Sequence, residues 1–151
     1  MKLQNKILIL LATSTIATGA MASIHGGHMV STNDTSLTSS ANGFDQPLWF
    51  SNNSSVTVTE TTWFADGTSD VETLPSGAAY HYDQMAASAW YNPSTNTPLY
   101  AQVIRTSDGA VIYPTQVVPH TAGSSQPAVV NIADSNTMVN GAKAKQIVTV
   151  K

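Results

Sequence analysis

Between residues 47 and 151 the chain sustains no helical period. Short β-type runs are instead cut by turn signals about every ten residues, and that punctuation limits what the chain can fold into. The clearest unit is a hairpin: Leu99–Thr106 and Ala110–Val118 lie on either side of Ser107-Asp108-Gly109, and Asp-Gly is a leading signal for a tight hairpin turn. Ser55–Phe64 reads as a half-buried strand, with Val56 and Val58 alternating against Thr57, Thr59 and Thr61 until Ala65-Asp66-Gly67 breaks it. Val71–Leu74 and Ala78–Asp83 flank a corner at Pro75-Ser76-Gly77. Pro47–Ser51, Ala87–Tyr91 (stopped by Asn92-Pro93), Ala128–Ala133 and Lys145–Lys151 complete the set, although Tyr82–Trp90 also suits a helical turn or two.

Roughly seven or eight short strands predict an all-β fold, an antiparallel β-sandwich, with closure into a barrel as the alternative. The layout resembles that of small immunoglobulin-like domains. The resemblance is one of architecture, and architecture by itself licenses no function. Lys145–Lys151 must pair with an early strand or sit at a sheet edge, where its two terminal lysines discourage uncontrolled pairing.

Ahead of this domain, residues 1–22 read as a secretory signal peptide. Lys2 and Lys6 precede the apolar run Ile7–Ala12, and Ala20-Met21-Ala22 offers an A-x-A cleavage site. The run is too short to cross a bilayer, which needs roughly 20 apolar residues. The expected product is secreted or periplasmic, and 129 residues remain. Four cations then face nine carboxylates, about −5 in net charge, so no basic footprint is left for nucleic acid or an anionic membrane. Residues 23–46 are rich in Ser, Thr, Asn and Gly, which predicts a flexible arm, an added edge strand being the alternative. Domain 47–151 contains no cysteine and must be held by burial alone. Asn33-Asp34-Thr35 and Asn52-Asn53-Ser54 would be glycosylation acceptors in a eukaryotic host.

A metal-ligand pattern lies at the processed terminus. Cleavage after Ala22 would leave Ser23-Ile24-His25, with His28 and Met29 behind it on a Gly-Gly hinge. A free amine, two deprotonated amides and a third-position imidazole make a square plane of four nitrogens. This arrangement is similar to the amino-terminal copper and nickel motif of some secreted proteins and suits Cu(II) or Ni(II). Cleavage after Ala20 would open the square and leave His28 and Met29 as loose ligands.

Other candidates compete with core and loop roles. Trp49, Trp63, Trp90, Tyr80, Tyr82, Tyr91, Tyr100 and Tyr113 fall mostly on expected strands, where packing is the first explanation. Within Ala78–Asp83, Tyr80 and Tyr82 share one face and His81 takes the other. Trp90, Tyr91 and Asn92 at a strand end are the expected exposed subset, a platform for a carbohydrate or protein ligand. Asp66, Asp70 and Glu72 cluster near a turn without the spacing of a calcium loop. His81 and His120 are available as bases, yet neither a Gly-x-Ser-x-Gly elbow nor a His-Glu-x-x-His pair occurs. The expectation is an exported, monomeric, non-enzymatic binding module that requires no cofactor, with copper or nickel binding through the N-terminus as the alternative and an enzyme third.

Overall fold

Alternating side chains become strands here because each run buries one face against a second sheet. The computed structural model describes residues 24–36 and 43–134, and beyond them the backbone of three strands between 138 and 150. Residues 1–23, which include the expected signal segment, and Lys145 and Lys151 lie outside the described residues. In chain order the strands are β1 (Gly27–Ser31), β2 (Leu48–Asn53), β3 (Val58–Trp63), β4 (Ser69–Leu74) and β5 (Ala78–Tyr82). A single helical turn, α1 (Ala87–Trp90), leads into the short ribbon of β6 (Tyr91–Asn92) and β7 (Thr97–Pro98). Then come β8 (Tyr100–Arg105), β9 (Val111–Val117), β10 (Ala128–Asp134), the ribbon of β11 (Met138–Val139) and β12 (Ala142–Lys143), and β13 (Gln146–Val150).

Two sheets make the sandwich. One runs β1-β5-β2-β10-β13 and the other β4-β3-β8-β9, and neither closes into a barrel. Leu48, Phe50, Tyr80, Tyr82, Val130 and Ile132 of the first pack against Val58, Leu74, Ala101, Val103 and Tyr113 of the second in one core. Each such large apolar side chain contributes about 1.5–3 kcal/mol on burial. The hairpin falls where Asp108-Gly109 placed it, joining β8 to β9.

Three expectations need correction. Residues 27–31 take the alternative of an added edge strand rather than the flexible arm: they form β1, antiparallel to β5 with His28 opposite His81. Main-chain pairing requires no apolar side chains, so composition alone hid it. Close approach does require glycine, because a Cβ at Gly27 would meet the Tyr80 ring and hydroxyl at 2.7 Å. Ala87–Tyr91 is mainly the helical turn α1, which buries Ala89 and Trp90. Finally, β2 and β10 pair in parallel, since β10 returns from the opposite sheet and local pattern does not dictate its direction. Asn52 is also closed to glycosylation: it is fully buried, and its amide donates to the carbonyls of Val56 and Leu74 at 2.8 and 2.9 Å.

A carboxyl group is built into the core. Glu60 falls on the inward register of β3 with Val58 and Thr62, directly across from Glu72 on β4. The Tyr82 hydroxyl donates to its Oε1 at 2.6 Å and the Thr62 hydroxyl to its Oε2 at 2.8 Å. Burial pushes the Glu60 carboxyl up to about 8 against these two hydrogen bonds, with Asp70 and Glu72 adding to the rise. Glu60 is therefore neutral at pH 7.

Candidate metal centre

The outer face of the first sheet carries a row of rings set by register alone. Trp49 on β2 is opposite His81 on β5, and His81 is opposite His28 on β1. Alternation sends Tyr80 and Tyr82 inward and His81 outward, as the sequence pattern requires. The Trp49 indole and His81 imidazole stack at 3.8 Å and 3°, and His81 is only 2% exposed. His28 meets His81 edge-on at 5.8 Å.

Asp83, one residue beyond β5, completes the group. His28, His81 and Asp83 each offer one ligand atom, and these atoms lie within 4.8 Å of one another. Two of the three ligands are held by neighbours. The Trp49 indole N–H donates to Asp83 Oδ1 at 2.9 Å, and Asp83 Oδ2 lies 3.4 Å from His28 Nε2. His28 Nδ1 lies 3.0 Å from the Gly26 carbonyl, which can only accept, so Nδ1 donates there and Nε2 is the nitrogen turned toward Asp83. Metal-binding histidines are oriented by outer contacts of this kind. Bonds of 2.0–2.1 Å set tetrahedral ligands about 3.3–3.4 Å apart, the separation His28 and Asp83 already have. The wider separations would have to close by about an ångström around a bound ion.

Charge and burial act in opposite directions on His81: burial favours its neutral form, and the carboxylates of Asp83 and Asp34 oppose it. Burial holds the His81 imidazole below its ordinary value despite the opposing charge of Asp83. Asp34 lies near enough to interact with both histidines and is held below the usual carboxylate range, chiefly by the Ser36 hydroxyl and N–H. The site is half open, because the His28 side chain is 44% exposed and that of Asp83 only 7%. Two imidazoles and a carboxylate suit a late first-row divalent ion, and the exposed side leaves a position for water or exchange.

The remaining candidates separate. His25 does not join His28: its Nε2 lies 3.1 Å from Asp66 Oδ2 and 3.3 Å from Thr68 Oγ1, with the ring on Phe64 at 4.3 Å. Met29 is next to His28 on a strand and so takes the opposite face. Ile24 packs partly against the core. Trp90, expected to be exposed, is 2% exposed. Its N–H is spent on the Gln46 carbonyl at 2.7 Å, because the helical turn rolls it inward. Tyr91 is exposed and lines an open groove of about 540 Å³ with Asp45, Ser88, Pro93 and His120. Asn92 is half-buried and accepts from the Ser94 N–H.

His120 stacks on Trp90 at 4.6 Å, and its Nε2 is 3.1 Å from Asp45 Oδ2. Burial works against the Asp45 carboxylate, but the N–H groups of Gly123 and Gln46 together with His120 bring it below its usual range. Ser88 shares the groove, yet among the described residues no hydrogen bond links its hydroxyl to His120, so no activated nucleophile is assembled. Asp66 stands apart from Asp70 and Glu72, which act on each other and on Glu60. Asp66 binds the Thr68 N–H and hydroxyl, Asp70 accepts weakly from the Tyr82 hydroxyl at 3.3 Å, and Glu72 pairs with Tyr80.

Sequence reasoning grouped His28 with Ser23, Ile24, His25 and Met29, whereas the strand register sets it beside His81 and Asp83. His81 and Asp83 were visible as an i, i+2 pair on one strand face, while the partner strand was not. Compared with known proteins, the chain matches no family model, and no curated protein or solved structure resembles it significantly. Its site must be argued from its own chemistry.

Proposed function

We propose that this chain is an exported, non-catalytic binding module whose ligand is a late first-row divalent metal ion, held by His28, His81 and Asp83. The observation that supports this reading is the pre-oriented donor set. Nε2 of His28 and Oδ2 of Asp83 face each other at a tetrahedral spacing while Gly26 and Trp49 occupy the opposite atoms of the same groups. Two imidazoles and a carboxylate accommodate copper, nickel or zinc, with copper heading the affinity order. The internal donor set replaces the N-terminal motif as the leading site because it needs no particular cleavage position.

The test is calorimetric titration of the exported protein with Zn(II), an ion that does not generally displace backbone amide protons and so ignores an N-terminal square plane. One Zn(II) per chain is expected. Binding should fall at least about 100-fold in His28→Ala and Asp83→Asn and persist in His25→Ala. Wild-type protein that is folded by near-UV circular dichroism but takes up no zinc would refute the proposal. So would binding indifferent to His28 and Asp83. Copper titrated in parallel, lost only in His25→Ala, would return the role to Ser23-Ile24-His25.

A further inference from the structure

The centre spans two strands that nothing covalent joins nearby. His28 is on β1, whereas His81 lies on β5 and Asp83 just beyond it. Among the described residues β1 is the edge of its sheet and pairs only with β5, through the five positions Gly27–Ser31. Only Gly27 among those five is buried, so the strand brings almost no apolar area into the core. Its entry is also bent, with His25 and Gly26 at φ 51° and 69°. What holds the segment is the ladder and a few polar end contacts. Gln84 N–H donates to the His25 carbonyl at 2.9 Å, Thr32 N–H to the Gly77 carbonyl at 2.9 Å, and His25 meets Asp66 at 3.1 Å. Ile24 adds one partly buried apolar side chain. A segment with few apolar contacts opens at lower free energy than the core does.

We propose that metal occupancy fastens β1 onto β5, so that metal supply sets how often the outer edge of β5 is uncovered. The inference rests on the metal-binding reading above and adds its consequence for the fold. An ion that needs His28 together with His81 and Asp83 binds only while β1 is docked. It therefore lowers the opening equilibrium by the factor 1 + [free ion]/Kd, about 100-fold at 100 times Kd. When β1 lifts, the N–H and C=O groups of β5 that it had satisfied become a template for another extended segment. The same site would then report metal as a change in edge availability.

The experiment is hydrogen–deuterium exchange of the exported protein, read peptide by peptide, with chelator and with free Zn(II) at about 100 times the calorimetric Kd. Exchange across 27–31 and at the β5 amides that bond to β1 should slow by up to about 100-fold. The β8–β9 hairpin, which has no part in the centre, should show no specific change. His28→Ala should exchange at the metal-free rate in both conditions. Zinc that binds by calorimetry yet leaves 27–31 unchanged, or slows every segment alike, overturns the clamp while leaving the metal site intact. Absence of calorimetric binding overturns both.

Discussion

Replacing Glu60 by Gln should remove most of the dependence of stability on pH above 5. The carboxyl is buried between the sheets and sits near 8 in the fold against an ordinary value of 4.5. The native state thus holds a proton that the unfolded chain has released across that interval. Its stabilising effect is complete below pH 4.5 and is lost as pH rises through 8. A shift of this size corresponds to about 5 kcal/mol in total, of which about 3 kcal/mol is lost between pH 5 and 7.5. Gln mimics the protonated acid, since its amide oxygen can accept from one of the Tyr82 and Thr62 hydroxyls while its N–H donates to the other, which turns to accept. His81 is shifted down by burial and acts with the opposite sign, gaining stability as pH rises toward 6.5, but it is common to both proteins. Urea unfolding followed by tryptophan fluorescence from pH 5 to 8.5 isolates the difference. The wild type should lose ground to Glu60→Gln by roughly 1 kcal/mol per pH unit. Parallel curves, offset by a constant, would show that Glu60 is ionised in the fold and would refute the reasoning.

Other perturbations read different parts of the molecule. Trp49→Phe removes the N–H that orients Asp83 and should weaken Zn(II) binding about 10–100-fold in the same calorimetric assay. Gly27→Ala drives a methyl into Tyr80 at 2.7 Å and should cost about 1–3 kcal/mol in urea unfolding, with faster exchange across 27–31. Phe50→Ala, at a fully buried position, should cost about 3–5 kcal/mol by the same unfolding measurement. Asp45 and Asp66 are held below their ordinary 3.8, so their stabilisation should disappear as pH falls from 3.8 through their lower folded values. A steep acid limb in thermal unfolding below pH 4, softened in Asp45→Asn, checks this.

Much of the fold was legible because it is local. Asp108-Gly109 dictates a hairpin wherever it lies between two strands, and alternation put Tyr80 and Tyr82 on one face and His81 on the other. Glu60 was equally visible on the Val58 register, where a carboxyl is out of place, and its burial could have been anticipated from that pattern. Trp90 misled because Tyr82–Trp90 suits either a strand end or a helical turn, and only the turn brings the indole N–H to Gln46.

The sequence by itself determined the β architecture, the turn positions and the facing of each residue on its own strand, since these follow from steric preferences within a few residues. Tertiary structure alone decided which strands became neighbours. Pairing β1 with β5 costs little in side-chain specificity and draws its energy from backbone groups every residue has, so no residue pattern advertises it. That pairing brings His28 beside His81 and Asp83, and the proposed function follows from it.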